Sequence, residues 1–163
     1  MYCSHGASRY LISLLLAFAC ALPATASTTY YVNDASLVGD AWCSAVGSDA
    51  NSGTSTGAPK ETVRAILASY DLEPGDTIFI DTGNYTLATN IEITAADGGS
   101  AGVYVTLQGS PAGAVLDRAT TAAGTYCLLL NTADCVRVSG LTLVGGSAAV
   151  SLRYATFCAF SNG

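Results

Sequence analysis

Side-chain oxygens occur at alternate positions in one short stretch of this chain, which reads Asp49-Ala50-Asn51-Ser52-Gly53. Calcium prefers oxygen ligands of this kind, and Asp34 and Asp40 lie nearby in sequence. An EF-hand loop also needs a distal Glu, which this stretch lacks. We therefore predict turns stabilised by Asp, Asn and Gly here, with a calcium site as the alternative.

Basic side chains could serve a second chemistry, removal of a proton alpha to a carboxylate. Arg137 lies between two valines and Arg153 follows a leucine, so both are expected to point outward into solvent. No group of acidic residues accompanies either arginine, and we predict no catalytic role for the set. Its members are Lys60, Arg64, Arg118, Arg137 and Arg153.

Paired carboxylates could hydrolyse a glycosidic bond. Asp117 and Asp134 are the only acidic residues after position 97, and nothing in the sequence brings them together. The only histidine, His5, is near the N-terminus. We therefore predict no catalytic, cofactor-binding or metal-binding residue. Asn84-Tyr85-Thr86 is an N-glycosylation sequon, which matters only in a eukaryotic source.

The cysteines beyond the N-terminal region do not have the close paired spacing of a zinc site. Four thiols allow three disulfide pairings, and buried free thiols are at least as compatible with the sequence. The pairing is left open. These residues are Cys43, Cys127, Cys135 and Cys158.

The N-terminal region has the order of a secretory signal peptide. Arg9 precedes an apolar run at residues 11–21, and Ala24-Thr25-Ala26 provides a cleavage site before Ser27. A membrane-spanning helix needs about 20 apolar residues, more than this run contains. We predict a signal peptide at residues 1–26, a secreted or cell-surface protein, and no membrane insertion after cleavage.

A lipoprotein signal with acylation of Cys20 is the alternative reading of the same region. Ala17 and Phe18 depart from the usual lipobox, which disfavours it. Cleavage would remove Arg9 and leave five basic residues of six against twelve acidic ones. Such a surface repels phosphate backbones and anionic lipids, so nucleic acid is excluded as an expected partner.

Secondary structure must position these groups, and one helix is indicated after cleavage. Val63, Ile66, Leu67 and Tyr70 follow helical spacing, and Thr62 can cap the first turn. Short β-branched and apolar segments separated by Gly, Asn and Asp predict strands over the rest. These segments are residues 28–32, 77–81, 91–93, 103–107, 115–116, 128–130, 136–138, 141–143 and 150–152.

The spacing of the last strands favours a solenoid over a sandwich. A shift of 22 residues places Leu128 on Val150 and Leu130 on Leu152, and the same shift places Val138 on Phe160. Two strand positions that repeat with one offset are typical of stacked turns of chain. We predict rungs of about 22 residues.

Five motifs in order, between about residues 29 and 87, resemble the N-terminal segment of pectin-lyase-like right-handed parallel β-helix proteins. The resemblance implies that fold, but the fold carries lyases, hydrolases, epimerases, adhesins and plain repeats. The motifs are Tyr30-Tyr31-Val32, residues 47–55 from Gly47 to Ser55, residues 58–62 from Ala58 to Thr62, residues 74–78 from Pro74 to Ile78, and residues 83–86 from Gly83 to Thr86.

The resemblance implies an N-terminal capping segment at residues 27–87 and incomplete first coils at residues 88–163, with the predicted helix closing the first coil. We expect the sequence to be a fragment whose partner is the remainder of its own longer chain. The predicted function is an exported β-helix with a structural, adhesive or carbohydrate-contacting role, for which polysaccharide is the candidate ligand. The alternative is the N-terminal part of a polysaccharide lyase or related enzyme with catalytic coils beyond Gly163.

Overall fold

The computed structural model describes residues 26–161, which form a mainly β structure with one α-helix and one 3₁₀ turn. The predicted signal peptide lies outside the described residues except for Ala26, and so do His5 and Cys20. The strands are β1 Thr29–Val32, β2 Thr77–Ile80, β3 Gly83–Thr86, β4 Ile91–Thr94, β5 Val105–Gly109, β6 Ala114–Asp117, β7 Tyr126–Asn131, β8 Val136–Ser139, β9 Leu141–Val144, β10 Ala148–Arg153 and β11 Ala159–Ser161; the helix α1 is Val63–Ser69 and the 3₁₀ turn is Ala95–Asp97.

The strands form three sheets, and every pairing between the named strands is parallel. Sheet A has the order β1-β2-β5-β8-β11, sheet B the order β3-β6-β9, and sheet C the order β4-β7-β10. From β2 onward the chain visits sheets A, B and C in turn and then returns to A. From β5 onward each strand therefore pairs with the strand one full circuit earlier in the chain.

Alternation of side chains along the strands builds one interior shared by the three sheets. Ile78 and Ile80 are fully buried, as the sequence predicted, while the intervening Phe79 points to the other face of sheet A. Burying a side chain of this size stabilises the fold by about 1.5–3 kcal/mol. The same core contains Leu116 of sheet B and Leu128 of sheet C.

The predicted offset of 22 residues is confirmed for the last circuit. Leu128 pairs with Val150 and Leu130 with Leu152, in the register that the sequence indicated. Sheet A repeats the offset between β8 and β11, where Ser139 pairs with Ser161.

The same offset is wrong for the earlier circuits. Thr77 pairs with Thr106, an offset of 29, and Ile91 pairs with Leu128, an offset of 37. The extra residues lie in turns, because residues 95–104 join sheet C to sheet A in one circuit and only residues 132–135 do so in the next. Turns can lengthen without disturbing the stacked strands, because a surface turn does not take part in the pairing between strands.

The predicted helix begins as expected. The Thr62 hydroxyl accepts the Ala65 N–H at 3.1 Å and caps the first turn, and Val63 and Ile66 are buried. Leu67 and Tyr70 pack against the same core, although the helix ends at Ser69. All four residues of the predicted apolar stripe therefore contact the core, and α1 lies against β4.

The two ends of the sheets differ. The outer edge of β1 is covered, because the Tyr31 N–H donates to the Gly53 carbonyl and the Lys60 N–H to the Tyr31 carbonyl. At the opposite end, β9, β10 and β11 are the outermost strands of their sheets among residues 26–161. Leu152 and Phe160 continue buried columns there but are about half exposed, at 52% and 45%.

Candidate ligand-contacting surface

The loop singled out as a calcium alternative is folded around a lysine. Lys60 is 5% exposed, and its ammonium donates to the carbonyls of Asp49 at 2.9 Å and Asn51 at 2.8 Å. The Asp49 carboxylate meanwhile accepts the backbone N–H groups of Glu61 and Thr62. The loop therefore already holds a cationic side chain, whose charge would repel a calcium ion bound beside it.

The remaining basic residues are not brought together. Arg64 is exposed on α1, and Arg118 donates to the Leu87 carbonyl at 2.9 Å. Arg137 lies over the Tyr104 ring, 4.4 Å from its centroid, and Arg153 lies 5.9 Å from the centroid of a tyrosine ring on β7. Both arginines are exposed, as predicted, and each one rests on an aromatic face rather than beside an acid.

The two late acidic residues stabilise separate turns. Asp117 accepts the Ala119 N–H at 2.7 Å, and Asp134 accepts the N–H of Thr156 at 2.6 Å. Across residues 26–161, no group of three or more His, Cys, Asp or Glu side chains has an arrangement that could hold a metal ion. Asn84 of the sequon is exposed on β3, beside a cleft of about 440 Å³ that is also lined by Asp34 and Glu61.

The sequence left the cysteine pairing open, and in the structure these four cysteines are free thiols. Cys43, Cys127 and Cys135 are buried, and Cys158 is partly exposed. Burial, reinforced by the nearby Asp81 carboxylate, raises the pKa of Cys43 to about 12. Burial likewise raises the pKa of Cys127 and of Cys158, so these thiols stay protonated at neutral pH and are poor nucleophiles.

A continuous row of outward side chains crosses all five strands of sheet A. The strand register aligns Tyr31 with Phe79, Phe79 with Gln108, Gln108 with Ser139, and Ser139 with Ser161. Neighbouring strands lie about 4.8 Å apart, so the row runs perpendicular to the strands with one side chain per step. We call these five residues the sheet A row.

The first part of the sheet A row is aromatic. The rings of Tyr31 and Phe79 are stacked with centroids 5.8 Å apart, and the Trp42 ring lies 4.5 Å from that of Phe79. All three side chains are partly exposed. These three residues, the aromatic cluster, offer apolar ring surface at the outer face of sheet A.

The second part of the sheet A row is polar and uncharged. The Ser139 hydroxyl donates to Gln108 Oε1 at 2.6 Å, and the Gln108 amide donates to the Gly109 carbonyl at 2.9 Å. Both side chains are partly exposed, and Thr106 lies beside them in the neighbouring row. Amide and hydroxyl groups held this way can exchange hydrogen bonds with a polar ligand.

Trp42 reaches the aromatic cluster from the long loop after β1. The Asp81 carboxylate, fully buried in the turn after β2, accepts the N–H groups of Ala41 at 2.7 Å, Trp42 at 2.9 Å and Cys43 at 2.6 Å. The Thr82 hydroxyl also donates to the Gly39 carbonyl at 2.8 Å.

Sequence reasoning missed this surface. Tyr31 and Phe79 could have been recognised as outward residues, because each lies between two apolar residues of a strand with period two. Tyr31 and Phe79 are 48 residues apart in the sequence, and Trp42 lies in a loop. No local sequence pattern therefore joins the three residues.

Within residues 26–161, no helix is long and apolar enough to cross a membrane. Comparison with protein-family models finds no match for this chain, and comparison with curated proteins finds none either.

Proposed function

We propose that this chain is an exported right-handed parallel β-helix whose sheet A face contacts carbohydrate. The observation that carries the proposal is the sheet A row, in which an aromatic cluster is continued in register by amide and hydroxyl groups. A sugar ring has apolar C–H faces and a polar rim of hydroxyls, so it matches both parts of such a row.

The β-helix part of the proposal is supported by the path of the chain. Three parallel sheets are visited in rotation and share one core, which is how successive rungs of a solenoid stack. Crossover connections between parallel strands are right-handed in about 98% of cases, which is the basis for the proposed hand. The pectin-lyase-like resemblance remains part of the proposal and is carried by the five motifs alone.

The proposed N-terminal cap is supported by two contacts. The apolar stripe of α1 packs on the core next to β4, and the backbone of Gly53 and Lys60 covers the outer edge of β1. Covering an edge and an open core end removes the two features that invite association with another chain. Export is supported only by the leader sequence.

The proposed ligand is a neutral rather than an acidic polysaccharide. Acidic residues outnumber basic ones by twelve to six in the whole chain. The polar part of the sheet A row carries no charge, and the exposed Arg137 beside it already lies on Tyr104. A uronate polymer would meet net repulsion with no free cation in the row to offset it.

Binding of the secreted chain to defined polysaccharides tests the proposal. We expect calorimetry to detect binding to neutral polymers such as xylan or glucomannan, and weaker binding to polygalacturonate or alginate. Phe79→Ala and Gln108→Ala should each weaken binding by about tenfold, equivalent to about 1.4 kcal/mol. Thr142→Ala, an exposed change on β9 of sheet B, is the matched control and should leave affinity unchanged.

Absence of binding to every polymer, or binding that Phe79→Ala leaves intact, would contradict the proposal. Release of unsaturated uronate from polygalacturonate or alginate, followed by absorbance with and without calcium, would instead support the lyase alternative.

A further inference from the structure

Trp42 is held over sheet A without belonging to a strand. It lies in the long loop between β1 and α1, a stretch with no regular secondary structure. Two residues of the turn after β2 make the hydrogen bonds that join it to residues 39–43. Asp81 accepts three successive backbone N–H groups, and Thr82 donates to the Gly39 carbonyl.

The Asp81 carboxylate is suited to this task because it is fully buried and fully hydrogen bonded. Its Oδ1 accepts the N–H groups of Ala41 and Thr82, and its Oδ2 accepts those of Trp42 and Cys43. Hydrogen bonds to an ionised group are about twice as strong as those between neutral groups. A buried carboxylate deprived of these donors would be costly, so the carboxylate and the loop segment stabilise each other.

We propose that Asp81 is the positioning residue that holds Trp42 against Phe79, so that the aromatic cluster is complete only while the Asp81 carboxylate is ionised. The consequence for carbohydrate binding rests on the proposed function. The seating of Trp42 does not, and it can be measured without any ligand.

The groups that face Asp81 are acidic or neutral. They are the Asp40 carboxylate, the Cys43 thiol and the Tyr85 hydroxyl, which donates to the Asp81 carbonyl at 2.9 Å. The Asp34 carboxylate lies near Asp40 and Tyr85. Asp40 Oδ1 is buried without a hydrogen-bond partner. Burial is the largest cause of the raised pKa of Asp40. The charges of Asp81 and Asp34 raise this pKa further, whereas the hydrogen bond from Asn33 lowers it.

The pKa of Asp81 is shifted in the opposite direction to that of Asp40. Burial acts to raise its pKa, but the four backbone hydrogen bonds outweigh burial and hold the pKa below its ordinary value. A carboxylate with a lowered folded pKa stabilises the fold above its unfolded pKa of about 3.9 and loses that contribution as pH falls through the folded pKa. On acidification Asp40 therefore takes up a proton before Asp81 does, and Trp42 is released only at the lower pH.

Fluorescence provides the test, since Trp42 is the only tryptophan in the chain. In Asp81→Asn, an amide replaces one acceptor oxygen and directs its own N–H groups at the loop donors. We expect the Trp42 emission to shift to longer wavelength and quenching by acrylamide to increase, while the far-UV circular dichroism keeps its β signature. Affinity for the neutral polysaccharide should fall by about tenfold.

Asp97→Asn is the matched control. Asp97 is also a buried carboxylate, at 7% exposure, and accepts the Thr94 N–H and hydroxyl in the capping box of the 3₁₀ turn. This change should lower the melting temperature but leave Trp42 emission and quenching as in the unaltered chain. Unaltered Trp42 emission in a folded Asp81→Asn variant would overturn the proposal.

A pH titration of the unaltered chain decides the matter if Asp81→Asn does not fold. We expect the Trp42 emission to change below about pH 3.9 and before the far-UV signal is lost. Emission that stays constant until the whole chain unfolds would overturn the proposal. If Asp81→Asn or acidification displaces Trp42 but the unaltered chain binds no polysaccharide, the role of Asp81 is retained and the proposed function is rejected.

Discussion

Lys60 explains the fold of the long loop between β1 and α1, because its buried ammonium binds the loop backbone directly. The ammonium binds two loop carbonyls. The alkyl stem lies close to Gly53, where an added Cβ would be only 3.1 Å from Lys60 Cγ. The sequence predicted turns in this loop, with calcium as the alternative. The Asn51 N–H does close a turn on the Ser48 carbonyl, but the Asp49 and Asn51 side chains bond residues 59–62 and not their own turns. The sequence could not indicate a buried lysine, because lysines are almost always on the surface.

Lys60→Met should lower the free energy of unfolding by about 2 kcal/mol, because methionine keeps the apolar stem but leaves the Asp49 and Asn51 carbonyls without their donor. Chemical denaturation with guanidinium measures the change. Arg64→Met, an exposed change on α1, is the control and should stay within about 0.5 kcal/mol. A higher melting temperature of the unaltered chain in millimolar calcium would contradict this account of the loop.

Among the elements, the last two turns from sheet C to sheet A repeat as faithfully as the strands around them do. Thr132 and Tyr154 both have positive φ, at 61° and 53°, and they lie 22 residues apart. Cys135 and Phe157 form a second such pair, at 53° and 55°. The repeat therefore extends to the backbone conformation of the turn, where none of the four residues is the glycine that this conformation favours.

Thr132→Asn should stabilise the fold by about 0.5–1 kcal/mol, because asparagine tolerates the left-handed conformation and a β-branched residue does not. Thermal unfolding followed by circular dichroism measures the difference. Thr142→Asn makes the same exchange on the exposed side of β9, where the backbone is extended, and should destabilise instead. Equal loss of stability in the two variants would show that the turn at Thr132 is not strained.

The elements also show how far the sequence determines the fold. The helical spacing from Val63 to Tyr70 and the offset between Leu128 and Val150 were readable, because each depends on a regular apolar pattern. The longer circuits were not, since the residues added in turns such as 95–104 leave no periodic signal. The aromatic cluster was unreadable for a related reason: it joins Tyr31, Trp42 and Phe79 through pairing and a loop contact.

Across the described residues as a whole, the two ends of the stacked sheets differ. The backbone of Gly53 and Lys60 covers the edge of β1, whereas β9, β10 and β11 each present an outer edge. Half-exposed apolar side chains accompany those edges, including Leu152. Unpaired edges beside apolar surface are the combination that promotes pairing with another chain.

We therefore expect the 163-residue chain, produced by itself, to associate with increasing concentration through the end formed by β9, β10 and β11. Leu152→Lys places a charge at that end, where the lysine stem can still cover the apolar column, and should weaken association by about tenfold or more. Val38→Lys is the control, because Val38 is 85% exposed in the N-terminal loop and should not alter association. Sedimentation equilibrium gives the dissociation constants, with circular dichroism to verify that each variant is folded. A monomer at every concentration, or an equal effect of the two substitutions, would exclude this end as the surface of association.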